Sequence, residues 1–117
     1  MAGKLSTHVL DTYHGKPAVG IAIELWTYIP QPKLLITATT NSDGRTDAPL
    51  LTDEMMRVGS YELRFQVGDY FRSMNIPLVQ PPFLEVVPVR FMLSDPAANY
   101  HVPLLVSPWA YSTYRGS

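Results

Sequence analysis

Three histidines, His8, His14 and His101, are the side chains best suited to moving protons near neutral pH, because an unperturbed imidazole titrates at about 6.5. His8 stands in Thr7-His8-Val9-Leu10-Asp11, where a strand puts it on one face with Ser6 and Leu10, and Thr7 and Val9 on the other. That face is mixed, and a half-exposed strand histidine bonded to backbone or water is its commonest reading. His101 opens His101-Val102-Pro103-Leu104-Leu105-Val106-Ser107, in which Pro103 lacks a ladder donor and so favours an edge or a bulge, places that often aim side chains at sites. His14 lies in the turn His14-Gly15-Lys16-Pro17 and reads as an exposed loop residue.

Arg45 follows the tight turn Asn41-Ser42-Asp43-Gly44 and is flanked by Asp43 and Asp47. Its plainest role is a surface salt bridge worth ~0–1 kcal/mol. The alternative is a planar fork that pairs with an anionic or carbonyl-rich ligand. Tyr114-Arg115-Gly116-Ser117 ends the chain with an aromatic ring, a guanidinium and a free carboxylate close together, where fraying is the usual expectation.

Other chemistries find no support. The chain has no cysteine, which removes disulfides, thiolate nucleophiles and thiolate metal sites together. It shows no phosphate loop, no His-Glu-x-x-His, no Gly-x-Ser-x-Gly elbow and no calcium-loop spacing. Two histidines with no third ligand at a telling interval leave no metal site to assign. Nine basic residues against ten acidic give a net charge of −1 with no basic run, which argues against a nucleic-acid partner. No apolar stretch reaches the length of a membrane span or signal peptide, so the default compartment is cytoplasmic.

The elements that must position these residues are mainly strands. Eleven prolines and seven glycines punctuate short apolar runs, as in a sandwich or barrel. Tyr61-Glu62-Leu63-Arg64-Phe65-Gln66-Val67 alternates most clearly, which predicts one buried face and one wet face carrying Glu62, Arg64 and Gln66. Further strands are expected over 5–10, 19–28, 33–40, 84–93, 100–107 and 111–114, with a short one after Gly44. That gives seven or eight. Short helices are expected over 52–58, capped by Thr52, and over 68–75. The whole, residues 1–117, reads as one all-β domain, an antiparallel sandwich.

These segments resemble the transthyretin-related family, and in particular its enzymatic branch, the 5-hydroxyisourate hydrolases. The resemblance rests on Thr7-His8-Val9-Leu10-Asp11 with Gly15-Lys16-Pro17-Ala18, on Thr40-Asn41-Ser42-Asp43-Gly44-Arg45, on Gly59-Ser60-Tyr61-Glu62-Leu63 and on Phe83-Leu84-Glu85-Val86-Val87-Pro88. Most discriminating are Tyr100-His101-Val102-Pro103-Leu104-Leu105-Val106-Ser107-Pro108 and the terminal Tyr114-Arg115-Gly116-Ser117. It spans nearly the whole chain.

The resemblance implies a transthyretin-like antiparallel β-sandwich of two four-stranded sheets with one short helix, here 68–75, assembled as a homotetramer. It also implies His8, Arg45 and His101 as catalytic residues, with Tyr114, Arg115, Gly116 and Ser117 lining a pocket between dimers. The implied reaction is hydrolysis of 5-hydroxyisourate to 2-oxo-4-hydroxy-4-carboxy-5-ureidoimidazoline, with no cofactor. The competing implication is a non-catalytic carrier of the same fold, set apart by lacking the two site histidines and the Tyr-Arg-Gly-Ser end.

Overall fold

A computed structural model describes residues 3–116. The strands are β1 (Lys4–Ser6), β2 (Val9–Asp11), β3 (Lys16–Pro17), β4 (Ala22–Thr27), β5 (Lys33–Thr39), β6 (Leu51–Thr52), β7 (Gly59–Phe65), β8 (Val87–Leu93), β9 (Asn99–His101), β10 (Leu104–Val106) and β11 (Tyr111–Thr113). One α-helix, α1 (Val67–Arg72), follows β7. One layer is the four-stranded antiparallel sheet β5-β4-β7-β8. The other joins the ladders β6-β1-β9 and β11-β10-β2-β3.

Those two ladders are one sheet with a seam. Ser6 pairs with His101 and Val9 with Leu104, so the same offset of 95 positions runs along the parallel pairs β1–β9 and β2–β10. Pro103 sits at the seam, where its missing N–H interrupts the ladder without shifting the register. It marks a break between two paired segments, because β10 lies between β2 and β11 and is no edge. These two parallel pairings stand inside an otherwise antiparallel sandwich.

Alternation along the strands builds the core. Leu5, Val9, Leu104 and Val106 from one layer meet Ile23, Leu25, Leu63 and Phe65 from the other, all essentially inaccessible. Burying each such side chain favours the fold by ~1.5–3 kcal/mol. The expected wet face of β7 is only partly wet. Glu62 is 8 % exposed. It accepts from Arg64 Nε at 2.7 Å and from Arg90 Nε at 3.1 Å, and these guanidiniums lie over the rings of Trp26 and Tyr28. Cross-strand pairing has covered a carboxylate that the alternation alone leaves in water.

Both helices are shorter than the sequence suggests. The one expected over 68–75 is α1, which ends before Asn75 turns left-handed at φ 55° and Pro77 prevents continuation. The one expected over 52–58 is a single 3₁₀ turn, Asp53–Met55. Thr52 makes no capping bond there, and its backbone pairs with Lys4 in the ladder. The strand expected over 19–28 starts at Ala22, after Gly20 takes φ 84°.

Candidate functional site

His8 and Arg45 face each other across an isolated antiparallel bridge. Val9 N–H donates to the Gly44 carbonyl at 2.8 Å, which fastens the Asn41–Gly44 turn to the first strand and carries Arg45 in beside His8. Gly44 has φ 75°, and a Cβ there would lie 2.5 Å from the Val9 carbonyl oxygen and 3.3 Å from His8 Cδ2. Only glycine combines that conformation with so close an approach. Asn41 shapes the turn by accepting from the backbone N–H groups of Asp43 and Arg45. Neither Asp43 nor Asp47 pairs with the Arg45 guanidinium; Asp47 instead accepts from the Asn41 amide at 3.0 Å.

His101 is brought to the same place by the parallel register. Ser6, His8 and His101 all point to the outer side of the sheet, since Leu5, Thr7, Val9, Tyr100 and Val102 fill the inner side. Ser6 Oγ and His101 Nδ1 are 2.8 Å apart. Gly116 forms a second isolated bridge with His101 and donates its N–H to the His101 carbonyl at 2.7 Å. A Cβ on Gly116 would lie 2.9 Å from His101 Cδ2, so the glycine lets the terminal backbone rest on the imidazole.

The charges of the neighbouring groups act on His101. Burial first, then the positive charge of Arg45, then His8, hold His101 below the ordinary histidine range. An imidazole so placed stays unprotonated to lower pH than usual. The cluster therefore holds a neutral imidazole, a second imidazole, a guanidinium and a stretch of backbone within one field, groups chemically able to activate water against a carbonyl.

A model of the HIUase/Transthyretin family matches residues 5–116. The chain belongs to that family. A 5-hydroxyisourate hydrolase from Halalkalibacterium halodurans is 57% identical over 119 residues, covering 100% of both chains. Among solved structures, the crystal structure of (S)-allantoin synthase matches with TM-score 0.95 and 43% identity, covering 99% of this chain and 44% of that longer one. Transthyretin from Sparus aurata matches with TM-score 0.83 at 23% identity, over 97% of this chain and 96% of its own, a likeness of fold. The transthyretin-like sandwich is thus the architecture on which this member of the family carries its histidines.

The terminal residues divide. Gly116 lies on His101, whereas the Arg115 guanidinium stacks 4.2 Å from the Tyr100 ring centroid and donates to the Asn99 carbonyl. Because Tyr100 and His101 alternate along β9, Arg115 is turned away from the histidines and ties the segment down. Tyr114 is exposed and borders, with Arg115, Tyr100 and Met92, a separate cleft of about 230 Å³. Ser117 lies outside the described residues. Among the described residues no three His, Cys, Asp or Glu side chains are grouped as a metal ion needs, and no helix is long and apolar enough to cross a membrane.

Sequence reasoning passed over two polar groups here. Ser6 shares a face with His8, which alternation reveals, but its contact with His101 depends on a register 95 positions long that no local pattern encodes. His14 is exposed as expected, yet its Nδ1 is tied at 2.6 Å to Asp11, an inaccessible carboxylate. The spacing of Asp11 and His14 by three, on a strand and the turn after it, was the available signal.

Proposed function

We propose that this chain hydrolyses 5-hydroxyisourate to 2-oxo-4-hydroxy-4-carboxy-5-ureidoimidazoline. What carries the reading is the meeting of His8, Arg45, His101 and the Gly116 backbone on one face of a chain 57% identical to a 5-hydroxyisourate hydrolase. His101 takes a proton from water as it attacks the C6 carbonyl of the N1–C6 amide. Arg45 stabilises the oxyanion of the tetrahedral intermediate, a service worth on the order of 3 kcal/mol for a well-aimed donor. The C–N bond then breaks, the leaving nitrogen takes a proton through His8, and the new carboxyl group leaves as carboxylate.

The substrate is flat and rich in carbonyls, and the backbone of Gly116 offers hydrogen-bonding groups to its ring edges, with Ser117 after it as a further contact. Arg115 enters indirectly by holding this segment against β9. The scheme needs no cofactor. The active form in this reading is a homotetramer, a dimer of dimers, in which the outer face carrying Ser6, His8 and His101 closes against a second dimer. Leu10 and Leu105, half-buried beside the histidines, give that face an apolar margin.

The decisive measurement generates 5-hydroxyisourate in situ from urate and follows its ultraviolet absorbance. Added protein should speed the decay well beyond the spontaneous rate; an unchanged decay would remove the enzymatic reading. Sedimentation equilibrium should give four times the 13.1 kDa chain mass. A monomer that turns over substrate would separate the chemistry from the assembly.

A further inference from the structure

We infer that Ser6 is a positioning residue that fixes the His101 imidazole in the Nδ1–H tautomer, leaving Nε2 as the nitrogen that meets water. The inference rests on the hydrolase reading above for its effect on rate, though not for the tautomer itself.

Three observations combine. The Ser6 Oγ to His101 Nδ1 distance of 2.8 Å is that of a formed hydrogen bond. It is held from both sides by backbone, since Ser6 is paired with His101 in the parallel ladder and the Ser6 carbonyl accepts from Val102 N–H at 2.9 Å. The hydroxyl follows the backbone and the imidazole follows the hydroxyl. Nδ1 is thereby occupied, so Nε2 is the nitrogen available for chemistry.

A serine hydroxyl either donates or accepts, so the bond alone leaves two tautomers. The surrounding charge chooses between them. His101 feels the positive field of Arg45. With Nδ1 occupied by Ser6, the other ring nitrogen is the one left to answer that charge, where a lone pair is stabilised and an N–H dipole repelled. The free nitrogen therefore carries the lone pair, Nδ1 carries the proton, and Ser6 Oγ accepts. Ser6 is only partly buried within the chain, which leaves its own O–H room to turn away from the ring.

This arrangement repeats a general device, in which the hydrogen bond at one ring nitrogen sets what the other can do. Here the partner is a neutral hydroxyl in place of a carboxylate. A carboxylate would favour the imidazolium; a hydroxyl orients the ring without raising its proton affinity in the same way. The base stays neutral and aimed.

The test uses the full chain labelled with ¹⁵N in its histidine rings, as wild type, Ser6→Ala and Ser6→Thr. Multiple-bond ¹H–¹⁵N spectra above the His101 titration should show Nδ1 protonated and Nε2 bare in the wild type. In Ser6→Ala the population should move toward Nε2–H, with kcat reduced about tenfold, the worth of one neutral hydrogen bond, and KM little changed. Ser6→Thr retains the hydroxyl and should restore both. An Nε2–H tautomer in the wild type, or an unaltered tautomer and kcat in Ser6→Ala, would overturn the assignment. If the wild type fails to accelerate 5-hydroxyisourate decay, the hydrolase reading falls and the spectra still decide the role of Ser6.

Discussion

Replacing His101 by Asn is expected to lower kcat for 5-hydroxyisourate by about 10²- to 10⁴-fold, the range a positioned general base contributes. Asparagine keeps a polar group within reach of Ser6 and fits beneath Gly116, so thermal unfolding and assembly should stay close to wild type. The wild-type pH profile should carry the complementary mark. Burial, Arg45 and His8 lower the affinity of His101 for a proton, so the acid limb of kcat/KM should fall below the usual histidine value of about 6.5. Arg45→Leu removes one of those causes, and the limb should then move to higher pH while the rate above it also drops. A limb that stays put in Arg45→Leu would mean that the guanidinium does not act on the base. Full activity in His101→Asn would take the base role away from His101.

Most of the fold was legible in the residues, for physical reasons that differ from element to element, whereas the cluster was named only through the family resemblance. The period-2 pattern around His8 fixes which side chains share its face, because a strand admits only two faces. The positive-φ turn before Arg45 is readable because Asn41 and Gly44 are what such a turn requires. What local patterns cannot carry is register across the seam. Pro103 reads as an edge or bulge signal because a missing donor is visible in sequence, whereas the constant pairing on both sides of it is not.

The same limit hid the burial of Glu62, whose covering guanidiniums come from its own strand and from β8. It also concealed Ser6 beneath His101. Arg115 shows the opposite case. The terminal motif marks it as a member of the pocket, but alternation along β9 and a stacking partner at Tyr100 draw its side chain to the other side.

Asp11→Ala is expected to be the most destabilising single change near the site, at about 2–4 kcal/mol, because it leaves buried donors without their acceptor. Asp11 is 0% exposed and accepts three hydrogen bonds: from His14 N–H at 2.9 Å, from the His14 ring at 2.6 Å and from the Tyr70 hydroxyl at 2.8 Å. It joins the end of β2, the turn to β3 and helix α1, so its loss loosens three elements together. At 4–8 °C for each kcal/mol in a domain near this size, the melting temperature should fall by roughly 8–32 °C.

The pH dependence has a definite sign. Burial alone would raise the Asp11 pKa, but the bonds from His14 and Tyr70 outweigh it and the net shift is downward. A carboxylate depressed on folding adds stability above its unfolded value of about 3.9, and that stability is lost as the pH falls through the lower, folded value. The gap in unfolding free energy between wild type and Asp11→Asn should accordingly be full near pH 7 and shrink in the acid. Because Asp11 touches none of the groups that meet substrate, the variant assayed well below its melting temperature should keep most of its kcat. A large loss there, in a folded protein, would mean that the position of β2 is itself tuned for catalysis and that His8 depends on Asp11 for its aim.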